Sequence, residues 1–495
     1  MRGDGDMRFQ RRDLLTALAG AGVSLALPAC AHAPERSLIP PPKPGQSADG
    51  IVRRAGLGGD IAYTLLDISR GTLLEGRGAN TRLPPASVGK TITALYALEH
   101  LGAGYRFSTR VQATGPVKDG VLRGDLVLVG GGDPTLDTDA LARLAARLVQ
   151  GGLRRVEGRF LVWGGALPAI EQIADDQAPQ AGYNPSVGGL NLNFNRVHFE
   201  WARQADDYRV TMDARSERFR PEVRLARMQI ANRASPVYTF QMARGLEEWS
   251  VARGALGNSG SRWLPVRQPD IYAGEAFQAL AAVQGLALPA PQRAGVPPQG
   301  QILAEHRSDT LADVLRAMLR FSTNLTAEAV GLRATVARGT MPTSLSASGR
   351  AMSDWARQRF GMSSLSMVDH SGLGAASRVS MADLANMFYR AAQDGQIRPL
   401  LREHPVRDGN GRPLPGQPFE VRAKTGTLYF VSALAGYMRS NSGREMAFAV
   451  CSSDLSRRAQ VLGSGLDRPA GTADWARTAR RMQQDLLTRW ARTHI

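Results

Sequence analysis

Apolar and polar positions change period several times along this chain, and each change marks an element. Residues 61–67 (Ile-Ala-Tyr-Thr-Leu-Leu-Asp) and 72–74 (Thr-Leu-Leu) flank Ser69-Arg70-Gly71, which predicts a hairpin of two antiparallel strands. After Pro84-Pro85 the period becomes helical: Ile92, Leu95, Leu98 and Leu101 recur every third residue and Gly102 closes the run. Ser87 and Lys90 stand three residues apart in the first turn of this helix, so their side chains share a face. From 106 to about 299 short strand-like pieces dominate, at 126–129, 160–162, 196–200, 208–210 and 222–225, with one helical run at 139–149. This predicts a mostly β insertion of one or two subdomains, and the four prolines of 289–299 read as its linker back.

The helical period returns at Ser308. Ser308 or Asp309 is expected to cap a stripe of Leu311, Val314, Leu315, Met318 and Leu319. Phe321-Ser322-Thr323-Asn324-Leu325 then forms a bend, and Thr326-Ala327-Glu328 opens the next helix. The turn-rich Asp369-His370-Ser371-Gly372-Leu373 precedes a helix at 381–393. A strand at 419–423 leads into Lys424-Thr425-Gly426-Thr427, two apolar runs follow at 431–438 and 446–451, and a basic amphipathic helix at 473–492 closes the chain. Strands near both ends with helices around them predict an α+β class, an antiparallel sheet between helices.

Composition narrows the options. At 495 residues and 43% hydrophobic, the chain is long enough for two or three domains. Its formal charge of +17 suits an anionic cell-envelope surface or a carboxylate-bearing substrate. Arginines are scattered, without a zinc knuckle, basic heptad or aromatic RNA-binding pattern, so no nucleic acid partner is expected. Arginines at 8, 11 and 12 followed by an apolar stretch to Pro28 predict an export signal over 1–33, and hence a periplasmic protein. Arg11-Arg12 resembles a twin-arginine signal. Leu27-Pro28-Ala29-Cys30 resembles a lipobox, which would place a lipid anchor on Cys30; the small residues at 29–33 fit ordinary cleavage equally well. Residues 34–50 read as a tether, and no later apolar run reaches the length of a membrane span. Cys451 lies in an apolar run and reads as core, so the two cysteines support neither a disulfide framework nor a thiolate metal site, and no cofactor or metal is expected.

The candidate chemistry is nucleophilic. A serine hydroxyl needs a base, and a lysine one turn away supplies it once burial or a cationic neighbour lowers its pKa. Gly89-Lys90-Thr91 mimics the end of a phosphate loop, but the glycine that loop requires falls at Pro84. Gly130-Gly131-Gly132-Asp133-Pro134 reads as a tight turn. No Gly-x-Ser-x-Gly elbow or His-Glu-x-x-His pair is present, and the seven histidines are dispersed.

Ser87-x-x-Lys90, Ser322-x-Asn324 and Lys424-Thr425-Gly426, in this order behind an export signal, resemble penicillin-binding proteins and serine β-lactamases. The phrases at 84–90, 124–136, 191–195 and 424–428, with 434–437, look like the D-alanyl-D-alanine carboxypeptidase/endopeptidases of serine peptidase family S13, the low-molecular-mass class C penicillin-binding proteins. The long stretch between Ser87 and Ser322 also looks like that family. The resemblance implies a penicillin-binding catalytic domain made of 51–105 and 300–495, interrupted by 106–299. It implies Ser87 as nucleophile, Lys90 as base, Ser322 as proton relay, Asn324 as the group that holds Lys90 and the substrate amide, Lys424 as the positive charge beside Ser322, and Thr425, Gly426 and Thr427 as the substrate-binding strand. Peptidoglycan and β-lactams are the implied partners. A serine β-lactamase and an inert peptidoglycan-binding lipoprotein are the alternatives. Two positions depart from the family pattern: Thr323, where aspartate is usual, and His370, where glycine more usually stands at the cleft rim.

Overall fold

The structure, a computed structural model, describes residues 47–407, 412 and 419–495. The export signal with Cys30, and the tether up to residue 46, lie outside the described residues. The tether ends earlier than expected. Ser47 caps a helix, Ala48–Ala55, its hydroxyl accepting from Gly50 N at 3.1 Å, and this helix packs on the C-terminal helix Thr472–Thr493.

The central sheet is antiparallel, in the order Glu420–Leu428, Val431–Arg439, Glu445–Ser453, Asp60–Asp67, Leu73–Arg77. The predicted first hairpin and the last three strands therefore share one sheet, although most of the chain lies between them. Alternation of side chains decides what covers each face. Ala433, Ala435, Tyr437, Ala447, Ala449 and Cys451 join the core beneath the helices Lys90–Leu101, Leu311–Phe321 and Met381–Asp394. Tyr63 and Phe448, on the other face, meet Trp490 of the C-terminal helix. With both faces covered, the middle strands read as continuous apolar runs. The helix Lys90–Leu101 is buried all round from Lys90 to Leu98, so even Thr91 and Thr93 lie inside.

Residues between the helices Lys90–Leu101 and Leu311–Phe321 build a second core. A five-stranded sheet runs in the order Gln292–Arg293, Phe160–Trp163, Leu126–Gly130, Ser108–Ala113, Gln301–Arg307. One apolar cluster joins this sheet to the helices Thr138–Gln150 and Pro269–Val283 and to two three-stranded sheets. Three expectations need correction here. Gln301–Arg307, assigned to the catalytic domain, pairs with Ser108–Ala113 in the inserted sheet, so the Pro-rich 289–299 is a connection within the insertion. Residues 222–225 form no strand beyond one bridge from Glu222 to Asp213; the strand begins at Ala226. A second helix, Pro269–Val283, stands in the insertion besides the expected one; its buried face carries Tyr272, Ala273, Ala276 and Phe277, and alanines on its outer face weaken the polar stripe. The glycine run ends in the expected turn: Asp133 Oδ1 accepts from Thr135 N at 2.8 Å and Thr135 Oγ1 at 2.7 Å.

Two helix starts also differ. Thr310, not Ser308 or Asp309, caps Leu311–Phe321, accepting from Asp313 N at 3.3 Å, because Ser308 Oγ is engaged by Phe107 N. The following helix begins at Asn324, two residues before the expected start. Among the described residues no helix is long and apolar enough to cross a membrane, and no cluster of His, Cys, Asp and Glu could hold a metal.

Candidate active site

Ala86–Gly89 forms a 3-10 turn that runs into the helix Lys90–Leu101, so Ser87 stands on the tight turn and Lys90 opens the helix. Ala86 holds a φ of +47°, a left-handed conformation that an alanine keeps only when its surroundings enforce it. Two glycines let those surroundings close in. A Cβ on Gly426 would lie 2.9 Å from Pro85 O and 3.0 Å from Ser87 N, and one on Gly372 would lie 2.0 Å from Ala86 O. The nucleophile turn is thus gripped between the strand Glu420–Leu428 and the turn after Asp369.

Lys90 is fully buried. Its Nζ lies 2.9 Å from Ser87 Oγ, 2.7 Å from Asn324 Oδ1 and 2.8 Å from the carbonyl oxygen of Ser371. Burial lowers its pKa to about 8, opposed by the charges of Glu328 and Asp369. An amine in that range is neutral in a useful fraction of molecules near neutral pH.

Ser322 ends the helix Leu311–Phe321 in a left-handed conformation, φ +60°, and Asn324 starts the next. This short bend presents a hydroxyl and an amide side by side. Lys424 Nζ donates to Ser322 Oγ at 3.0 Å and to Thr425 O at 2.8 Å. Burial, then the charges of Lys90 and Arg402, holds the Lys424 pKa well below the usual lysine value. Asn324 Nδ2 donates to the carbonyl of Tyr183 at 2.8 Å, so the inserted region reaches the site directly.

Ser87, Ser322, Asn324 and Thr427 line one cleft of about 410 Å³, with Gln177 and Tyr183 from the insertion and Arg458 and Arg480 from the C-terminal part. Thr425 is not among its lining residues and is tied to Lys424 through its carbonyl. Arg262 and Gln180 of the insertion meet Asp467 at the cleft, at 2.7 and 3.2 Å. His370 is not at the rim. It is fully buried, with Nε2 2.7 Å from Ser348 Oγ, and Gly331 leaves room for its ring. Burial lowers its pKa to about 3, so it is a neutral filler between helices. Gly372 and Leu373 are the members of that segment on the cleft.

Sequence reasoning missed Glu328, Asp369 and the carbonyls of Ser371 and Tyr183. Backbone acceptors leave no signal in residue identity. Glu328 did leave one: a glutamate amid Leu325, Ala327, Ala329 and Val330, four residues after Asn324 and so on the same helical face.

A cleft serine bonded to a buried lysine, a Ser-x-Asn bend and a Lys-Thr-Gly strand on an antiparallel sheet between helices define the penicillin-binding protein fold. The profile of the D-Ala-D-Ala carboxypeptidase 3 (S13) family matches residues 47–464, so the chain belongs to that family and is a hydrolase of the carboxypeptidase class. The D-alanyl-D-alanine carboxypeptidase of Actinomadura sp. (strain R39) is 27% identical over 441 residues, 82% of this chain and 80% of the relative. The D-alanyl-D-alanine carboxypeptidase DacB of Haemophilus influenzae is 24% identical over 413 residues, 79% of this chain and 85% of the relative. The crystal structure of penicillin binding protein 4 from Haemophilus influenzae superposes with a TM-score of 0.71 at 19% identity, covering 89% of this chain and 99% of that one. A second structure of that protein, complexed with a β-lactam, gives 0.67 at 20% identity with the same coverage.

Proposed function

We propose that this chain is an exported serine D-Ala-D-Ala carboxypeptidase that cleaves peptidoglycan stem peptides through an acyl-enzyme on Ser87, acts also as a DD-endopeptidase, and is inhibited by penicillins. The observation that carries the reading is the set of three atoms around Lys90 Nζ. A neutral amine has two hydrogens and one lone pair. Asn324 Oδ1 and Ser371 O can only accept, so they take both hydrogens, and the lone pair turns to Ser87 Oγ. The serine must then be the donor, which is the orientation a general base requires.

Ser87 Oγ attacks the carbonyl between the two D-alanines as its proton passes to Lys90. The backbone N–H groups of Ser87 and Thr427 hold the oxyanion, about 3 kcal/mol per donor in other enzymes. Ser322, bonded to Lys424, relays that proton from Lys90 to the departing amine, which leaves Lys90 neutral again, and Asn324 orients Lys90 and the substrate amide. Thr427, on the cleft, grips the terminal carboxylate, with Thr425 behind it on the same strand, and Gly426 keeps that strand against the nucleophile. Water then releases the acyl group. The inserted region shapes the approach, since Tyr183 and Gln177 stand in the cleft. Export to the periplasm and a lipid on Cys30 belong to the same reading, supported by the basic, apolar N-terminal segment; the mass of the mature N-terminus tests them.

Intact-mass spectrometry after incubation with benzylpenicillin should show one covalent adduct, mapping to the peptide that carries Ser87, and Ser87→Ala should show none. D-Ala should be released from a stem pentapeptide. An unmodified wild type would overturn the reading, and fast penicillin turnover without D-Ala release would make the chain a β-lactamase.

A further inference from the structure

The turn from Asp369 to Gly374 is held almost entirely by two buried carboxyl groups. Glu328 accepts with Oε2 from His370 N and with Oε1 from Ser371 N, each at 2.9 Å. Asp369 accepts with Oδ1 from Gly372 N at 2.8 Å and with Oδ2 from Gly374 N at 2.5 Å. Neither carboxyl is exposed by more than 1%. Asp369 acts within its own turn, a common local device. Glu328 comes from another element, the helix Asn324–Ala337, and sits one turn beyond Asn324 on the same face. Burying a carboxyl there is costly, and a neutral side chain of similar size would fill the space without that cost.

The bonds beyond the turn indicate what the carboxyl does. Its two amide contacts fix the peptide planes that lead into Ser371, and Thr93 Oγ1 pins the His370 carbonyl from the other side at 2.6 Å. The Ser371 carbonyl is one of the two acceptors that take the hydrogens of Lys90; the other, Asn324 Oδ1, lies on the helix that carries Glu328. We propose that Glu328 is a positioning residue for Lys90: it ties the Ser371 turn to the Asn324 helix, so that both acceptors form one rigid body and the amine lone pair stays on Ser87. This rests on the reading of Lys90 as the base. Charge adds a second effect. The groups facing the Glu328 carboxyl are Lys90 from the nucleophile helix, and Asp369 and the neutral His370 imidazole from the turn, with Lys424 of the edge strand beyond Lys90. A carboxylate beside Lys90 favours its protonated form, so removing it favours the free amine.

The test is the rate of acylation by a fluorescent penicillin, followed from pH 5.5 to 10 on the full chain, for wild type, Glu328→Gln and Glu328→Asp. The final labelled fraction counts folded sites, and the rate reports positioning. We expect Glu328→Gln to label to the same final fraction but about 100-fold more slowly at its plateau, the scale of a catalytic group misplaced by about 1 Å. Its rising limb should move to lower pH. Glu328→Asp, which keeps a carboxylate, should recover part of the rate. Wild-type rate and limb in Glu328→Gln would overturn the inference. So would a reduced labelled fraction with an unchanged rate, or loss of folding in both variants, because Glu328 would then serve only the fold. A wild type that takes no penicillin would sink the base assignment and this inference with it; the other outcomes sink this inference alone.

Discussion

Around Ser87 four buried ionisable groups converge, whereas in the inserted region the buried amides serve their own loops and the buried ionisable groups stand apart from one another. Lys90, Glu328, Asp369 and Lys424 lie inside the protein, and their hydrogen bonds lead to Ser87 or Ser322. In the insertion, Asn184 accepts from Ile173 N and Ala174 N and donates to Ala174 O. Asn195 accepts from Leu192 N and donates to Ser186 O and Asn191 Oδ1. A neutral amide meets the needs of a buried loop without a charge to desolvate. The insertion's buried acids stand apart from any such chain: Asp133 serves its own turn, Asp213 pairs with Arg215 at 2.8 Å, and Glu247 Oε1 accepts from Arg267 N and Gln268 N, with burial raising its pKa to about 7. In the catalytic half the buried ionisable groups are linked through Lys90 and the Ser371 turn to the nucleophile, whereas in the insertion each serves its own turn or ion pair.

The contrast can be broken most severely at Lys90. Lys90→Ala should slow penicillin acylation by about 10⁴-fold, the upper range for a general base, with little change in melting temperature. In the wild type the rate should fall about tenfold per pH unit below about 8 and level off above it, because the neutral amine is the active form and acid removes it. A rate independent of pH between 6 and 9 would rule Lys90 out as base. Gly426→Ala comes next: its Cβ would press on Pro85 O and Ser87 N and lift the strand from the nucleophile, slowing acylation by about 10- to 100-fold. The opposite signature is expected from Asn195→Ala, which unpairs buried loop groups and should cost about 1–3 kcal/mol of stability. Its acylation rate per folded site should stay at the wild-type value; a slowed rate would mean the insertion's amides serve the chemistry too. Cys451 should be silent, since burial raises its thiol to about 12; thiol reagents should label it only after unfolding.

Much of the catalytic half was legible because its signals are local. The first hairpin, the helix after Pro85, the amphipathic stripe from Leu311 and the closing strands each follow from a period within a dozen residues. The insertion was less legible because its elements owe their form to distant partners. Gln301–Arg307 is a strand only because Ser108–Ala113 lies beside it, and Pro269–Val283 blurs its period because small alanines stand on its outer face as well as its buried one. The departure at His370 was visible as a residue but not as an environment, since only packing shows that Gly331 opposite leaves space for the ring.

By itself, then, the order of residues determined the three candidate motifs and the local elements that hold them, because helix turns and strand edges depend on near neighbours. Tertiary structure alone decided that Ser87, Ser322 and Thr427 share one cleft with Lys424 bonded to Ser322, that Lys90 is stripped of water, and that Glu328 reaches the Ser371 turn. Proximity, burial and pKa are properties of chain segments brought together from far apart, and no local pattern encodes them.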